Sequence, residues 1–314
     1  MKKTRIIAAL VLLLMCIASC AKQPEPAAVT SAELQTTSTE AQTATAVPAI
    51  APESVPSNGP MSSTASMPKP ALNANARSAD AIQALAQAHQ QDTPANWGLE
   101  FDGITSRFVP KGKQLALTLD ACGGPTGSGV DTELLEFLKR ENIPATLFIN
   151  GRWAKQNRAL LKELSENPLF SIQNHGGAHK PLAVTAREAY GIPATGSAAD
   201  TIEEVLAGER IIQEITGIRT RFFRSGTAHY DDVSIRLLQE LGYQTAGFSV
   251  NGDGGATFSA AQVKSALMAC KPGDIILCHM NRPDKPTGKG LQEALPLLIA
   301  QGYEFVRLED VLPG

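Results

Sequence analysis

From residue 93 to the C-terminus the chain alternates short apolar runs with longer amphipathic ones, a rhythm that predicts strands and helices in turn. Strands are predicted at Gln114–Leu119, Ala145–Asn150, Phe170–Gln173, Arg221–Phe223, Gln244–Val250, Asp274–Leu277 and Glu304–Arg307. Helices are predicted between and beside them at Val130–Glu141, Trp153–Asn167, Ala199–Thr216, Asp231–Leu241, Ala260–Cys270 and Gly290–Gln301. Strict alternation predicts an α/β fold in which helices cover a parallel sheet. Seven strands fit a closed or nearly closed barrel better than an open sheet, although the pattern alone also admits a doubly wound sheet.

Before residue 93 the rhythm is lost. Lys2, Lys3 and Arg5 precede an apolar run, Ile6–Ile17, that is too short to span a bilayer and reads as a secretory signal. Its ending, Ile17-Ala18-Ser19-Cys20, resembles a bacterial lipobox. That resemblance implies loss of residues 1–19 and a lipidated Cys20 that anchors the chain to a membrane of the bacterial cell envelope. Ala21 at the following position favours the periplasmic side of the outer membrane by the same resemblance. Residues 21–78 are rich in Ala, Thr, Ser, Pro, Glu and Gln and poor in large apolar side chains, a composition that cannot offset the entropy of ordering. The expected organisation is a signal peptide over 1–19, a lipidated cysteine and flexible linker over 20–92, and a catalytic domain over 93–314. Such a linker reaches roughly 40 Å at 5–6 Å times the square root of its length. Within it, Ala79–His89 has helical spacing and predicts a short amphipathic helix that either docks on the domain or frays.

Composition adds exclusions. A net charge of −3 gives no footprint for nucleic acid. Of five cysteines, Cys16 and Cys20 belong to the signal and anchor, and the remaining three, Cys122, Cys270 and Cys278, cannot all pair within one chain, so no disulfide framework is expected. Cys270 reads as a small buried apolar residue, whereas Cys122 and Cys278 both fall near strand ends and form a candidate disulfide.

The polar residues that interrupt the apolar pattern share one address. Asp120 and Cys122 follow the first strand, His175 and His179 the third, Arg224 the fourth, Asn251 and Asp253 the fifth, and His279 the sixth. In parallel α/β folds the C-terminal strand ends carry the chemistry, because their loops vary without disturbing the core. Two histidines four apart can place both imidazoles on one metal from a helix face or from a tight loop, and Gly176-Gly177 and Pro181 favour the loop.

On these residues the domain resembles the polysaccharide deacetylases of carbohydrate esterase family four, the NodB-homology domain, over residues 110–312. The resemblance rests on Thr118-Leu119-Asp120, on Ile143-Pro144-Ala145-Thr146-Leu147-Phe148, and on Asn174-His175-Gly176-Gly177-Ala178-His179-Lys180-Pro181-Leu182. It continues through Phe223-Arg224, Leu277-Cys278-His279 and Gly302-Tyr303-Glu304-Phe305-Val306. It implies a distorted (β/α) barrel and a hydrolase that removes acetyl groups from a polysaccharide. It further implies Asp120 as general base, His279 as general acid, Arg224 as the holder of the base, and His175 and His179 as ligands of a divalent metal, zinc or a near neighbour. The chain departs from the family pattern in three places. Ala121 stands where the family has a metal-binding Asp, Ser225-Gly226-Thr227-Ala228 replaces Pro-Pro-Tyr-Gly, and Asn251-Gly252-Asp253-Gly254-Gly255 replaces the usual Asp-Trp signature. Three arrangements can compensate for Ala121: Asp120 reaching the metal with the base role shared by water or Asp253, a Cys122 thiolate ligand, or chemistry without metal, in that order of expectation. A backbone donor for an oxyanion is expected from Ser225-Gly226-Thr227. The competing classes are a glycan-binding lipoprotein that has lost catalysis and an amide hydrolase acting on substrates other than sugars. No aromatic platform for a sugar is evident along the chain.

Overall fold

The computed structural model describes residues 78–313. The predicted signal, lipidated Cys20 and most of the linker lie outside the described residues. In chain order the principal strands are β1 (Gln114–Ala121), β2 (Ala145–Ile149), β3 (Phe170–Asn174), β4 (Phe222–Phe223), β5 (Gln244–Ala246), β6 (Val250–Asn251), β7 (Ile275–His279) and β8 (Glu304–Phe305). The helices are α1 (Ala79–Ala88), α2 (Thr132–Arg140), α3 (Gly151–Gln156), α4 (Arg158–Glu166), α5 (Ala198–Thr216), α6 (Asp232–Glu240), α7 (Ala260–Met268), α8 (Thr287–Ala300) and α9 (Leu308–Val311). Every predicted core element is present.

The strands run parallel in the order β6-β7-β1-β2-β3-β4-β5, with a short edge strand, Ile104–Thr105, beyond β5 and with β8 paired to the start of β1. One continuous segment curls this sheet into a barrel. Its first half, β5, pairs with β4, and its second half, β6, pairs with β7 at the other end of the sheet. The predicted strand Gln244–Val250 is therefore two strands separated by Gly247-Phe248-Ser249, where the chain crosses the seam. Ser249 fastens that crossing: its backbone N–H donates to the Ile275 carbonyl (3.0 Å) and its hydroxyl to Asp274 (2.7 Å).

Pleating sorts the side chains into two layers. On β1, Leu117, Leu119 and Ala121 point outward into a core shared with Leu134 and Leu138 of α2, and on the neighbouring strands Leu147, Ile149, Ile276 and Cys278 do the same. Ala116 belongs instead to a separate cluster with Phe148, Phe222 and Ile275 inside the barrel. Thr118 and Asp120, two and four residues further along, share its face and point inward.

Helix boundaries follow local chemistry. Asp131, Ser197, Asp231 and Ser259 each accept a hydrogen bond from a first-turn N–H of the helix they precede. The single predicted helix Trp153–Asn167 breaks in two because the Asn157 side chain donates to the Ser128 and Trp153 carbonyls (both 3.1 Å), which holds it outside helical geometry. Helix α8 begins earlier than predicted, at Thr287, whose hydroxyl donates to Asp253 (3.1 Å).

Of the two outcomes left open for the stretch before residue 93, the helix docks. Ile82, Leu85 and Ala86 pack against a cluster containing Ile202, Val205 and Leu206 of α5 and Leu238 of α6. Beyond the helix, His89 binds Asp92 and Glu240, each at 2.8 Å. Burial alone would lower the pKa of His89, but the hydrogen bonds from these carboxylates outweigh it and the net shift is upward. A raised folded-state pKa stabilises the docked form below the ordinary histidine value of about 6.5, and that contribution is lost as pH rises through the folded value. Amide exchange over Ala79–Ala88 is thus expected to be slower, relative to the barrel core, at pH 5.5 than at pH 8.5, and His89→Ala is expected to remove that difference.

Candidate active site

The C-terminal strand ends open into a cavity of about 530 Å³ whose lining includes Asp120, Cys122, His179, Asn251 and His279. Asp120 and His279 are register partners on neighbouring strands, so their side chains leave the sheet on the same face. Beside them stand the groups from the third and fourth strands.

Arg224 is fully buried. One Nη donates to Asp120 Oδ1 and to the Thr118 hydroxyl (both 2.8 Å), the other Nη to the Gly247 carbonyl (2.8 Å), and Nε to the Ala246 carbonyl (3.4 Å). Its guanidinium lies 4.2 Å above the centre of the Phe148 ring. A buried cation with its donors met in this way is a rigid fixture, and losing either partner of such a pair costs about 3–5 kcal/mol. Burial by itself would raise the pKa of Asp120, but the charges of Arg224, His175 and His279 outweigh it and hold the carboxyl below its ordinary range. Asp120 is therefore ionised at neutral pH, as a base must be.

The His175–His179 segment is a loop, as Gly176-Gly177 predicts. Gly176 has φ of 78° and His179 φ of 63°, and α5 clamps the loop through Glu204. The Glu204 carboxylate accepts from the Ala178 N–H (2.9 Å) and the Lys180 N–H (3.2 Å), and its own carbonyl accepts from Gly177 (2.8 Å). Gly226 completes the clamp, because a Cβ there would collide with the His179 carbonyl. The two imidazoles meet edge to face at 4.9 Å.

His175 Nδ1 lies 2.9 Å from the Arg224 carbonyl, which can only accept, so Nδ1 carries a proton and Nε2 is the nitrogen turned towards Cys122 and Asp120. Cys122 Sγ sits 3.7 Å from that Nε2. Cys122, His175 and His179 each present a ligand atom, all within 4.8 Å of one another, and His179 Nε2 is buried with no hydrogen-bond partner. Two imidazoles and a thiol, one nitrogen orphaned, fit a zinc-like ion. Burial would raise the Cys122 pKa, but the charges of the His179 and His279 rings and the hydrogen bond of His175 outweigh it and bring the thiol well below its usual value.

This arrangement corrects the expected order of compensations for Ala121. Asp120 Oδ1 is committed to Arg224, its Oδ2 is 3.7 Å from His175 Nε2, and Cys122 rather than Asp120 groups with the histidines. Ala121 itself is an outward position of β1, buried in the helix-facing core. The next residue is past the last pleat of the strand and turns inward. Gly123 (φ 71°) and Gly124 (φ 90°) let it do so, and a Cβ on Gly123 would lie 2.6 Å from the Trp153 backbone nitrogen.

His279 is held from behind by Asp253, a carboxylate the sequence pointed to only as a stand-in base. His279 Nδ1 faces the two Asp253 oxygens at 3.0 and 3.1 Å, and the His279 backbone N–H donates to Asp253 at 2.8 Å. Burial would lower the His279 pKa, yet the Cys122 and Asp253 charges outweigh it and raise it well above normal. Nδ1 is tied to Asp253, which leaves Nε2 to the cavity.

Two further expectations change. The Cys122–Cys278 disulfide is absent: both thiols are free, because Cys278 points outward into the core while Cys122 faces the cavity. The oxyanion donors narrow as well. Ser225 N–H donates to the Tyr230 hydroxyl (2.7 Å) and Gly226 N–H to the Lys180 carbonyl (3.2 Å), leaving Thr227 as the remaining candidate of the three. Thr118, Phe148, Glu204 and Gly247 were missed, since a threonine, a phenylalanine, a helix carboxylate and a seam carbonyl carry no mark in a sequence of their place in a site.

The curled parallel barrel thus gathers at its strand ends an arginine-held carboxylate, a histidine opposite it and a Cys-His-His donor cluster. The sequence pattern of the polysaccharide deacetylase family matches residues 109–246 of the chain. It is 29% identical over 208 residues to the peptidoglycan-N-acetylglucosamine deacetylase PgdA of Listeria monocytogenes, an alignment that covers 65% of this chain and 40% of the Listeria protein. The chain thus spans less than half the length of that relative. Among solved structures, the family 4 carbohydrate esterase PdaA of Bacillus subtilis superposes with a TM-score of 0.56 at 22% identity, over 73% of this chain and 88% of the other. A family 4 pseudoenzyme from Bacillus anthracis also superposes with a TM-score of 0.56 at 22% identity, over 66% of this chain and 68% of the other. At that identity the two structures speak to the fold.

The outward direction of residue 121 has a direct consequence. Ala121→Asp is expected to bury an unpaired carboxylate in the helix-facing core and to destabilise the domain by about 3 kcal/mol or more, read as a fall in Tm. Gain of a metal by Ala121→Asp with unchanged Tm would show that position 121 faces the cavity.

Proposed function

We propose that the chain is an envelope-anchored hydrolase that removes acetyl groups from a polysaccharide, with N-acetyl groups of an amino-sugar polymer such as peptidoglycan as the foremost substrate. The observation that carries this reading is the meeting, in one cavity, of an ionised Asp120 locked to Arg224, a His279 locked to Asp253, and the Cys122-His175-His179 cluster between them.

Asp120 is the base. Fixed by Arg224, it takes a proton from a water molecule whose oxygen then bonds to the acetyl carbon. His279 is the acid: its Nε2 proton passes to the sugar nitrogen as the carbon–nitrogen bond breaks, so acetate and a free amine result. Asp253 keeps the His279 ring aimed at the cavity and stabilises its protonated form. Arg224 stays charged throughout and prevents Asp120 from keeping the proton it has accepted. Cys122, His175 and His179 would hold a divalent ion, zinc or a near neighbour, which when bound polarises the acetyl oxygen and lowers the pKa of water beside it. Thr227 lines the same cavity, and its N–H is the donor we assign to the developing oxyanion.

Lipidation at Cys20 would tether this domain to the membrane, and the linker would set its reach into the surrounding polymer. The relatives' names support the peptidoglycan reading, and Ala21, by its resemblance to lipoprotein signals, favours the periplasmic face of the outer membrane.

Three measurements check this. Acetate release from N-acetylated glycan is expected from the wild type and is expected to fall at least 1,000-fold in Asp120→Asn; glycan retention without acetate release would instead establish a binding lipoprotein. Metal content is expected near one zinc-like ion per chain, and the cobalt-loaded protein is expected to show a sulfur-to-cobalt charge-transfer band in the near ultraviolet that Cys122→Ser lacks. The full-length protein is expected to partition into detergent, and Cys20→Ser into the aqueous phase.

A further inference from the structure

On the rim of the cavity stands an aromatic ridge that the reaction does not use. Between the His179 loop and α5 the chain forms a small antiparallel hairpin, Glu188–Ala189 with Ile192–Pro193, whose two-residue tip is Tyr190-Gly191. Both tip residues have positive φ, 53° and 73°, the geometry of a tight hairpin turn that favours Asn-Gly. An aromatic residue in the left-handed region is disfavoured, and Tyr190 is 79% exposed, so core packing does not explain its presence there. Its ring is set edge to face on His229 (5.3 Å between centroids), and His229 in turn lies against Trp97 (5.6 Å). The His229 ring is fixed because Nδ1 donates to the Thr227 carbonyl (2.9 Å).

The hairpin is built firmly. Thr195 N–H donates to the Pro181 carbonyl (3.1 Å), Gly196 N–H to Ala183 (2.7 Å), and the Thr195 hydroxyl exchanges hydrogen bonds with Ala183 and Thr201. It is thereby tied to the segment that follows His179. Trp97 is held independently, through Trp97–Gly98 pairing with Tyr230–Asp231 and through Asp232, which accepts from the Ala95 and Asn96 N–H groups (2.8 Å each). Tyr190 and Ile192 line the same cavity as Asp120 and His279, while Asn251, Thr257 and Arg282 supply polar groups to that lining. An apolar ridge sharing a catalytic cavity with hydrogen-bonding groups matches a pyranose, whose C–H faces are apolar and weakly positive and whose hydroxyls spread in the ring plane.

We propose that Tyr190, backed by His229 and Trp97, is a stacking subsite for a second sugar ring of the substrate. The class of ligand it selects is a glycan at least two sugar units long, whose second ring presents an apolar C–H face to Tyr190. The subsite rests on the hydrolase reading for its place in a reaction, but binding to it does not.

The test compares N-acetylglucosamine with its tetramer. For acetate release, the ratio of kcat/KM for tetramer over monomer is expected to fall roughly tenfold in Tyr190→Ala and to persist in Tyr190→Phe, which keeps the ring face. Equal ratios in wild type and Tyr190→Ala would overturn the proposal. If the wild type releases no acetate from either sugar, the hydrolase reading fails and calorimetric titration of tetramer into the wild type and Tyr190→Ala decides the subsite alone. A roughly tenfold weaker Kd in Tyr190→Ala supports it, whereas an unchanged Kd or absence of tetramer binding overturns it.

Discussion

The buried pairing of Arg224 with Asp120 is the constraint from which the rest of the site follows. A guanidinium in the middle of a barrel is tolerable only if its charge and its donors are met, and the partners that meet them come from four places: Asp120 and Thr118 on β1, Ala246 at the end of β5, Gly247 at the seam, and the face of Phe148 on β2. That requirement fixes the strands relative to one another and fixes the carboxylate against water that would otherwise move it. It also passes on to the histidine loop, because the carbonyl of Arg224 accepts from His175 and so determines which nitrogen of that ring is turned towards Cys122. One residue thereby orients both the base and the first nitrogen of the donor cluster.

Around this fixture the chain distributes support by a common device, a buried charged side chain behind each working group. Arg224 steadies Asp120, Asp253 steadies His279, and Glu204 steadies the loop that carries His179. Each supporting group comes from a different element, so no single loop movement displaces the whole site. The elements that bear them are tied into the barrel: β6 closes the seam beside Asp253, and α5 packs against the neighbouring helices and β3.

Much of this was legible in the sequence because period-two and period-3.6 patterns report burial, and burial is what the barrel imposes. Asp120, His175, His179, Arg224 and His279 stood out as polar groups at the ends of apolar strands, and the structure brings all five to one end of the barrel. What stayed hidden depended on direction more than on identity. Ala121 reads as a missing ligand until the pleat of β1 shows that it faces the helices, and Cys122 reads as one half of a disulfide until Cys278 is seen to point away from it. The role of Asp253 and the ridge of Trp97, His229 and Tyr190 arise from contacts between segments far apart in the chain, which no local pattern encodes. The break at Asn157 and the seam at Gly247 were invisible for the same reason: each is decided by a tertiary hydrogen bond or a change of strand partner.

The proposed chemistry turns on whether Cys122 takes the ligand position next to the carboxylate that Arg224 holds. Anomalous diffraction at the zinc edge from crystals of the zinc-soaked domain addresses this most directly. The expected map has one strong peak bonded to the Cys122 sulfur and to the His175 and His179 rings, with Asp120 still on Arg224. A peak on Asp120 with Cys122 turned away, or histidine rings directed apart with no peak between them, would contradict it.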